Sequence, residues 1–100
     1  MRVLWTEQAF ARLAEIETCI AADDPEVARR FVARLIGRAS RLAKAPHMGR
    51  WVPELPESKL RELLEGNYRI VYRVRGRTIQ VLTVFEGHRR FPARDLPDEE

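Results

Sequence analysis

The chain has 100 residues and a formal net charge of +3; 45% of it is hydrophobic and 33% charged. That length accommodates one domain around one core, and no apolar run approaches the roughly 20 residues needed to cross a bilayer. A single cysteine, Cys19, excludes an internal disulfide, no Cys/His cluster of the kind that holds zinc is present, and no cofactor is expected.

In chain order, Val3 to Trp5 is a short β-favouring run that predicts an opening strand. The segment from Met1 to Glu7 turns polar too early for a secretory signal, so a cytoplasmic address is expected. Thr6 reads as a helix N-cap, with Glu7 in the first turn, where the helix dipole favours negative charge. Ala9, Leu13, Ile16 and Ile20 recur at three- and four-residue steps and predict one apolar helix face ending near Ala22. Cys19 lies beside this stripe and is expected to be a small buried hydrophobe.

Asp24-Pro25-Glu26 restarts the chain as a second helix: the aspartate caps, and proline suits the first helical position. Ala28, Phe31, Val32, Leu35, Ala39 and Leu42 trace its apolar face, and the helix is expected to end before Pro46. So short a link makes the pair an antiparallel hairpin. Leu60 to Leu64 is a short ambiguous run, followed by the hairpin-turn signal Gly66-Asn67. In Tyr68 to Val74, alternation sets Tyr68, Ile70, Tyr72 and Val74 on one face and Arg69, Val71 and Arg73 on the other. Gly76 marks another turn before a strand from Thr78 to Phe85. The expected fold is a two-layer α+β domain: an N-terminal strand, and a helical hairpin packed on one face of a three- to four-stranded antiparallel sheet whose other face is solvated. Residues 1–92 form this domain, and residues 93–100 are expected to be an acidic, frayed tail.

Arginine far outnumbers lysine, clustering on the second helix and in the C-terminal half, which suits an anionic partner, protein or nucleic acid. Trp5 is expected in the core, whereas Trp51, beside Arg50 and ahead of Pro53, is less easily buried.

Trp5-Thr6-x-x-Ala9, the helix break at Asp24-Pro25, Pro46-x-x-Gly49-Arg50, Val52-Pro53-Glu54, Leu60-Arg61-Glu62-Leu63, Tyr68 to Val74 and Val84-x-x-Gly87-His88-Arg89 occur in an order and spacing that resemble the RelE/ParE toxin superfamily. The resemblance spans about residues 3 to 90 and leans toward ParE, chiefly from Gly49-Arg50 through Leu63 and the long helical hairpin. It implies the two-layer fold, a ParD-like antitoxin that folds onto the toxin as a hetero-oligomer, and DNA gyrase as target with no bond broken by the toxin. On this reading Arg61, Arg73, Arg89 and Arg90 face the target, and Arg30, Arg34, Arg38 and Trp51 face the antitoxin.

The alternative is a RelE-like, ribosome-dependent, metal-independent messenger-RNA endoribonuclease. Such chemistry needs a base, cations for the phosphate and an acid, and Glu54, Arg69 and His88 fall at roughly corresponding places. Against it, only Lys59 lies near the strands, no tyrosine follows Tyr72, and Arg69 is as readily a structural partner of Glu54, Glu62 or Glu86.

Overall fold

A computed structural model describes residues 1–97; the acidic end Asp98-Glu99-Glu100, part of the expected tail, lies outside the described residues. The order is β1 (Arg2–Trp5), α1 (Glu7–Ala21), α2 (Pro25–Ser40), β2 (Arg50–Trp51), β3 (Arg61–Glu65), β4 (Tyr68–Arg75) and β5 (Thr78–Glu86), with short 3-10 turns at Arg41–Ala43 and Ala93–Asp95. Both helices begin where their caps place them. The Thr6 hydroxyl accepts from the Ala9 amide at 3.1 Å, and the Asp24 carboxylate accepts from the amides of Glu26 and Val27 at 3.0 and 3.2 Å, satisfying donors that the first helical turn leaves unpaired. Gly66 and Gly76 take positive φ at the first position of the β3–β4 and β4–β5 loops, as tight hairpins require.

The sheet has five strands in the order β1-β5-β4-β3-β2. Two features differ from the expectation of three or four antiparallel strands. β1 pairs in parallel with β5, Arg2 opposite Thr78 through Trp5 opposite Val81, because the chain crosses over through the whole helical hairpin before the meander begins. β2 adds a two-residue edge, Arg50 opposite Glu62 and Trp51 opposite Arg61. The β4–β5 register shifts between Val71 and Tyr72, leaving Leu82 without a cross-strand partner, a β-bulge of the kind that re-aims side chains at functional edges.

Beneath the helices, Ala9 and Leu13 of α1 and Leu35 and Ala39 of α2 pack with Leu63, Ile70, Tyr72, Ile79, Val81 and Val84. Trp5 is partly buried against this core and stacks on the exposed Phe10. The second sheet face is not solvated. A smaller cluster of Val52, Val71 and Phe85 is covered by Leu55 and Leu60 from the β2–β3 loop and by Phe91 and Leu96 from the C-terminal segment. The expected frayed tail is therefore corrected over its described part: residues 91–96 form a strap across the sheet, and Asp95 within it is buried. Cys19 is likewise corrected, since it is exposed; its position beside the α1 stripe turns it away from the sheet.

Gly49 permits a close approach at the start of β2. A Cβ there would stand 2.7 Å from both the Glu62 carbonyl oxygen and the Tyr72 hydroxyl. Its amide donates to the Tyr72 hydroxyl at 3.0 Å, and that hydroxyl donates to the Pro46 carbonyl at 2.8 Å. Burial holds the Tyr72 phenol above its ordinary pKa, so it stays a donor. Tyr72 thereby ties the segment after α2 to the middle of the sheet.

Candidate functional site: the arginine-bearing outer face of the sheet

On the sheet face away from the helices, alternation along β3 and β4 brings Glu62 and Arg69 together. Arg69 is 6% exposed and Glu62 1%. Arg69 donates from Nε to Glu62 Oε1 at 2.8 Å and grips Glu54 with both terminal nitrogens, at 2.8 and 2.6 Å. Arg50 holds the other Glu62 oxygen at 2.7 Å. The rings of Phe85 and Phe91 lie 4.9 and 5.6 Å from the Arg69 guanidinium and complete its enclosure. Bonding to Glu54 and Glu62 outweighs burial and raises the Arg69 pKa, while the same bond from Arg69 lowers that of Glu54. One bidentate match, Arg69 to Glu54, together with the contacts of Arg69 and Arg50 to one oxygen each of the buried Glu62, makes a fixed ionic cluster.

This arrangement bears directly on the acid–base set read from the sequence. Glu54 and Arg69 are adjacent, bound to each other. His88 stands apart: its side chain is 72% exposed, and its Nε2 lies 4.0 Å from Glu86. With Glu54 and Glu62 on Arg69, the guanidinium faces two carboxylates where a nuclease would need a phosphate.

A second ionic cluster pins the strap. Asp95 accepts two bonds from Arg12 of α1, at 2.7 and 3.0 Å, and one from the Thr83 hydroxyl at 2.8 Å. Burial alone would raise the Asp95 pKa, but these three bonds together bring it below the ordinary carboxylate range. Neither Arg12 nor Asp95 stood out in the sequence, because one aspartate of an acidic, proline-flanked tail and a helix arginine give no sign that they meet. From the sequence Glu62 was legible only as one possible partner of Arg69, and Arg50 was missed as a site member. The available signal was opposite charge at inward-facing strand positions, which a chain tolerates only when the two are paired.

The remaining arginines divide by environment. Arg61 stacks over Trp51, 3.8 Å from the ring centroid, and donates to the carbonyls of His47 and Gly49 at 3.1 and 2.8 Å. Trp51 nonetheless stays 55% exposed at the sheet edge. On α2, Arg34 and Arg38 both face Glu65, at 2.6 and 3.7 Å, and Arg30 lies 3.9 Å from Glu26, which also pairs with Arg29. Arg34 also lies over Phe31, and with Arg30 it flanks a groove of about 590 Å³ floored by Ile20, Val27, Phe31 and Tyr68. Arg89 pairs with Glu86 at 3.1 Å, and the exposed Arg90 lines a groove beside Cys19 and Pro92. Arg73 donates to the neutral amide of Gln80 at 2.7 Å. Among the described residues no helix is long and apolar enough to cross a membrane.

These features define a class: a two-layer α+β domain whose central arginine is fixed internally and whose other arginines ring the periphery of the fold. The model of the ParE toxin of type II toxin–antitoxin systems matches residues 3–91, and the chain belongs to that family. The candidate toxin Y4kP of Sinorhizobium fredii (strain NBRC 101917 / NGR234) is 36% identical over 91 residues, which cover 91% of this chain and 93% of the relative. A solved structure titled as the chromosomal ParDE toxin–antitoxin system from P. aeruginosa superposes with a TM-score of 0.72 at 27% identity, covering 86% of this chain and 95% of that chain.

Proposed function

We propose that this ParE-type toxin acts in the cytoplasm by binding DNA gyrase, breaking no bond itself, and that a cognate ParD-like antitoxin neutralises it. Family membership supports the class of activity. The observation that carries the choice between gyrase and messenger RNA is the occupation of Arg69 by Glu54 and Glu62. A guanidinium held by two carboxylates has no donor fork left for a scissile phosphate, and Glu54 bound to it is a weakened base. Arg61, Arg73, Arg89 and Arg90 remain at the periphery to give a protein target charge complementarity.

The antitoxin is assigned to the helical hairpin and the neighbouring sheet edge, at Arg30, Arg34, Arg38 and Trp51. An amphipathic segment there would place apolar side chains in the groove over Phe31 and Tyr68 and carboxylates beside Arg30 and Arg34. Arg34 is 60% exposed in its pair with Glu65, and so exposed a pair contributes little and yields readily to a competing acid. Toxin and antitoxin would then form a hetero-oligomer by coupled folding and binding.

In a supercoiling assay the purified toxin is expected to block gyrase or to trap cleaved DNA, and equimolar antitoxin is expected to restore activity. Unchanged supercoiling at saturating toxin would remove the gyrase assignment.

A further inference from the structure

The outer face of the sheet carries a groove of about 730 Å³ between the β2–β3 loop, the end of β4, the middle of β5 and the C-terminal strap. Leu55, Leu60, Leu82 and Leu96 line it, Leu82 being the residue that the β5 bulge leaves without a cross-strand partner. Lys59, Arg73 and Arg75 stand along its sides. Among the described residues that line it, Glu57 is the one carboxylate.

The electrostatics of this groove differ from those of the α2 stripe. There, Arg30, Arg34 and Arg38 face the chain's own Glu26 and Glu65. In the groove, neither Lys59 nor Arg73 has a carboxylate of the described residues within ion-pairing distance, and the Arg73 bond is to an uncharged amide. A net-charged wall over an aliphatic floor selects a ligand that offers carboxylates and apolar side chains together.

We propose that this groove receives an acidic, aliphatic-bearing segment of the toxin's protein target, and that Lys59 and Arg73 read its carboxylates. The proposal rests on the gyrase reading for the identity of that target. The bases of a nucleic acid stack best on aromatic rings, and none lines this groove among the described residues, whereas a peptide offers aliphatic side chains to its leucines and carboxylates to Lys59 and Arg73. The helices cover the opposite face of the sheet, so a segment lying along the hairpin and a segment seated in the groove engage different residues. That separation leaves room for the target in the groove while the antitoxin lies on the hairpin.

The test compares the full-length wild type with Lys59→Glu/Arg73→Glu and with the milder Lys59→Glu, measuring affinity for purified gyrase, for gyrase-free DNA and for the cognate antitoxin. The double variant is expected to lose about tenfold or more in gyrase affinity and in supercoiling inhibition. Lys59→Glu is expected to fall between it and the wild type, and antitoxin affinity to stay within about twofold, which also reports an intact fold. Undiminished gyrase binding by both variants would overturn the groove assignment while leaving the gyrase reading standing. Parallel loss of antitoxin binding by the folded Lys59→Glu variant would hand the groove to the antitoxin, and a loss confined to DNA binding would hand it to nucleic acid; either overturns the proposal. A wild type that does not bind gyrase would overturn the gyrase reading, and this named target with it.

Discussion

Replacing Arg69 with alanine is expected to lower folding stability by about 3–5 kcal/mol, the range for removing one partner of a buried ion pair. The loss has three sources. Glu62, whose side chain is fully buried, keeps only Arg50. Glu54 loses both bonds that tie the β2–β3 loop to β4. The rings of Phe85 and Phe91 lose the cation between them. Small domains typically hold about 5–15 kcal/mol in total, so the variant should show a large fall in its urea midpoint. Lysine should rescue little, because a single ammonium cannot reproduce the planar fork shared between two carboxylates. A loss under about 1 kcal/mol would mean that the cluster is not a structural element, and would return Arg69 to the pool of free cations.

The second large effect is expected at Asp95. Its replacement by alanine leaves the Thr83 hydroxyl and the Arg12 guanidinium without their shared acceptor. A loss of about 3 kcal/mol at neutral pH is expected from charge-assisted bonds of this kind. The strap should loosen with it, exposing Val52, Val71 and Phe85, which Phe91 and Leu96 cover. The pH dependence has a definite sign. Asp95 has a folded pKa below its unfolded value of about 3.9, so its contribution is fully present above that value and is lost as pH falls through the folded pKa. Glu54, also lowered, behaves in the same direction. Wild type should therefore weaken on acidification below about pH 4, and Asp95→Ala should show a shallower acid limb that converges toward wild type. Melting curves across pH 2 to 7 check this. Equal acid slopes in the two proteins would show that Asp95 is not an anchoring charge.

Local chemistry made the elements of the first layer readable. Thr6, Asp24-Pro25, Gly66-Asn67 and Gly76 act within a few residues of where they stand, and each marks the boundary or turn it predicts. Pairing across long separations was not readable. Nothing in Val3 to Trp5 specifies a parallel partner in β5, and two residues are too few to announce β2. The cover over the outer face was missed for a related reason. Leu55 and Leu60 sit in a loop among prolines, and Phe91 and Leu96 in a short tail, so their apolar character has no period. The Glu54–Arg69 contact was legible as one of several pairings, because an arginine within a strand needs a partner. The bidentate geometry, and the fact that Glu54 and Glu62 hold Arg69 at the same time, required the fold. Arg30, Arg34 and Arg38 lie on α2 as the helix periodicity placed them, whereas Trp51 falls on the unforeseen β2, and Arg34 and Arg38 meet Glu65 across a gap in sequence that helix periodicity cannot foresee.

The central proposal is that Arg69, held by Glu54 and Glu62, is not a catalytic cation and that the toxin works by binding its target. Expression of the chain alone, with chromosomal breaks and transcript integrity followed in the same cells, tests it most directly. The account predicts DNA damage with full-length messages, undiminished by His88→Ala. Cleaved messages with an intact chromosome, abolished by His88→Ala, would contradict it.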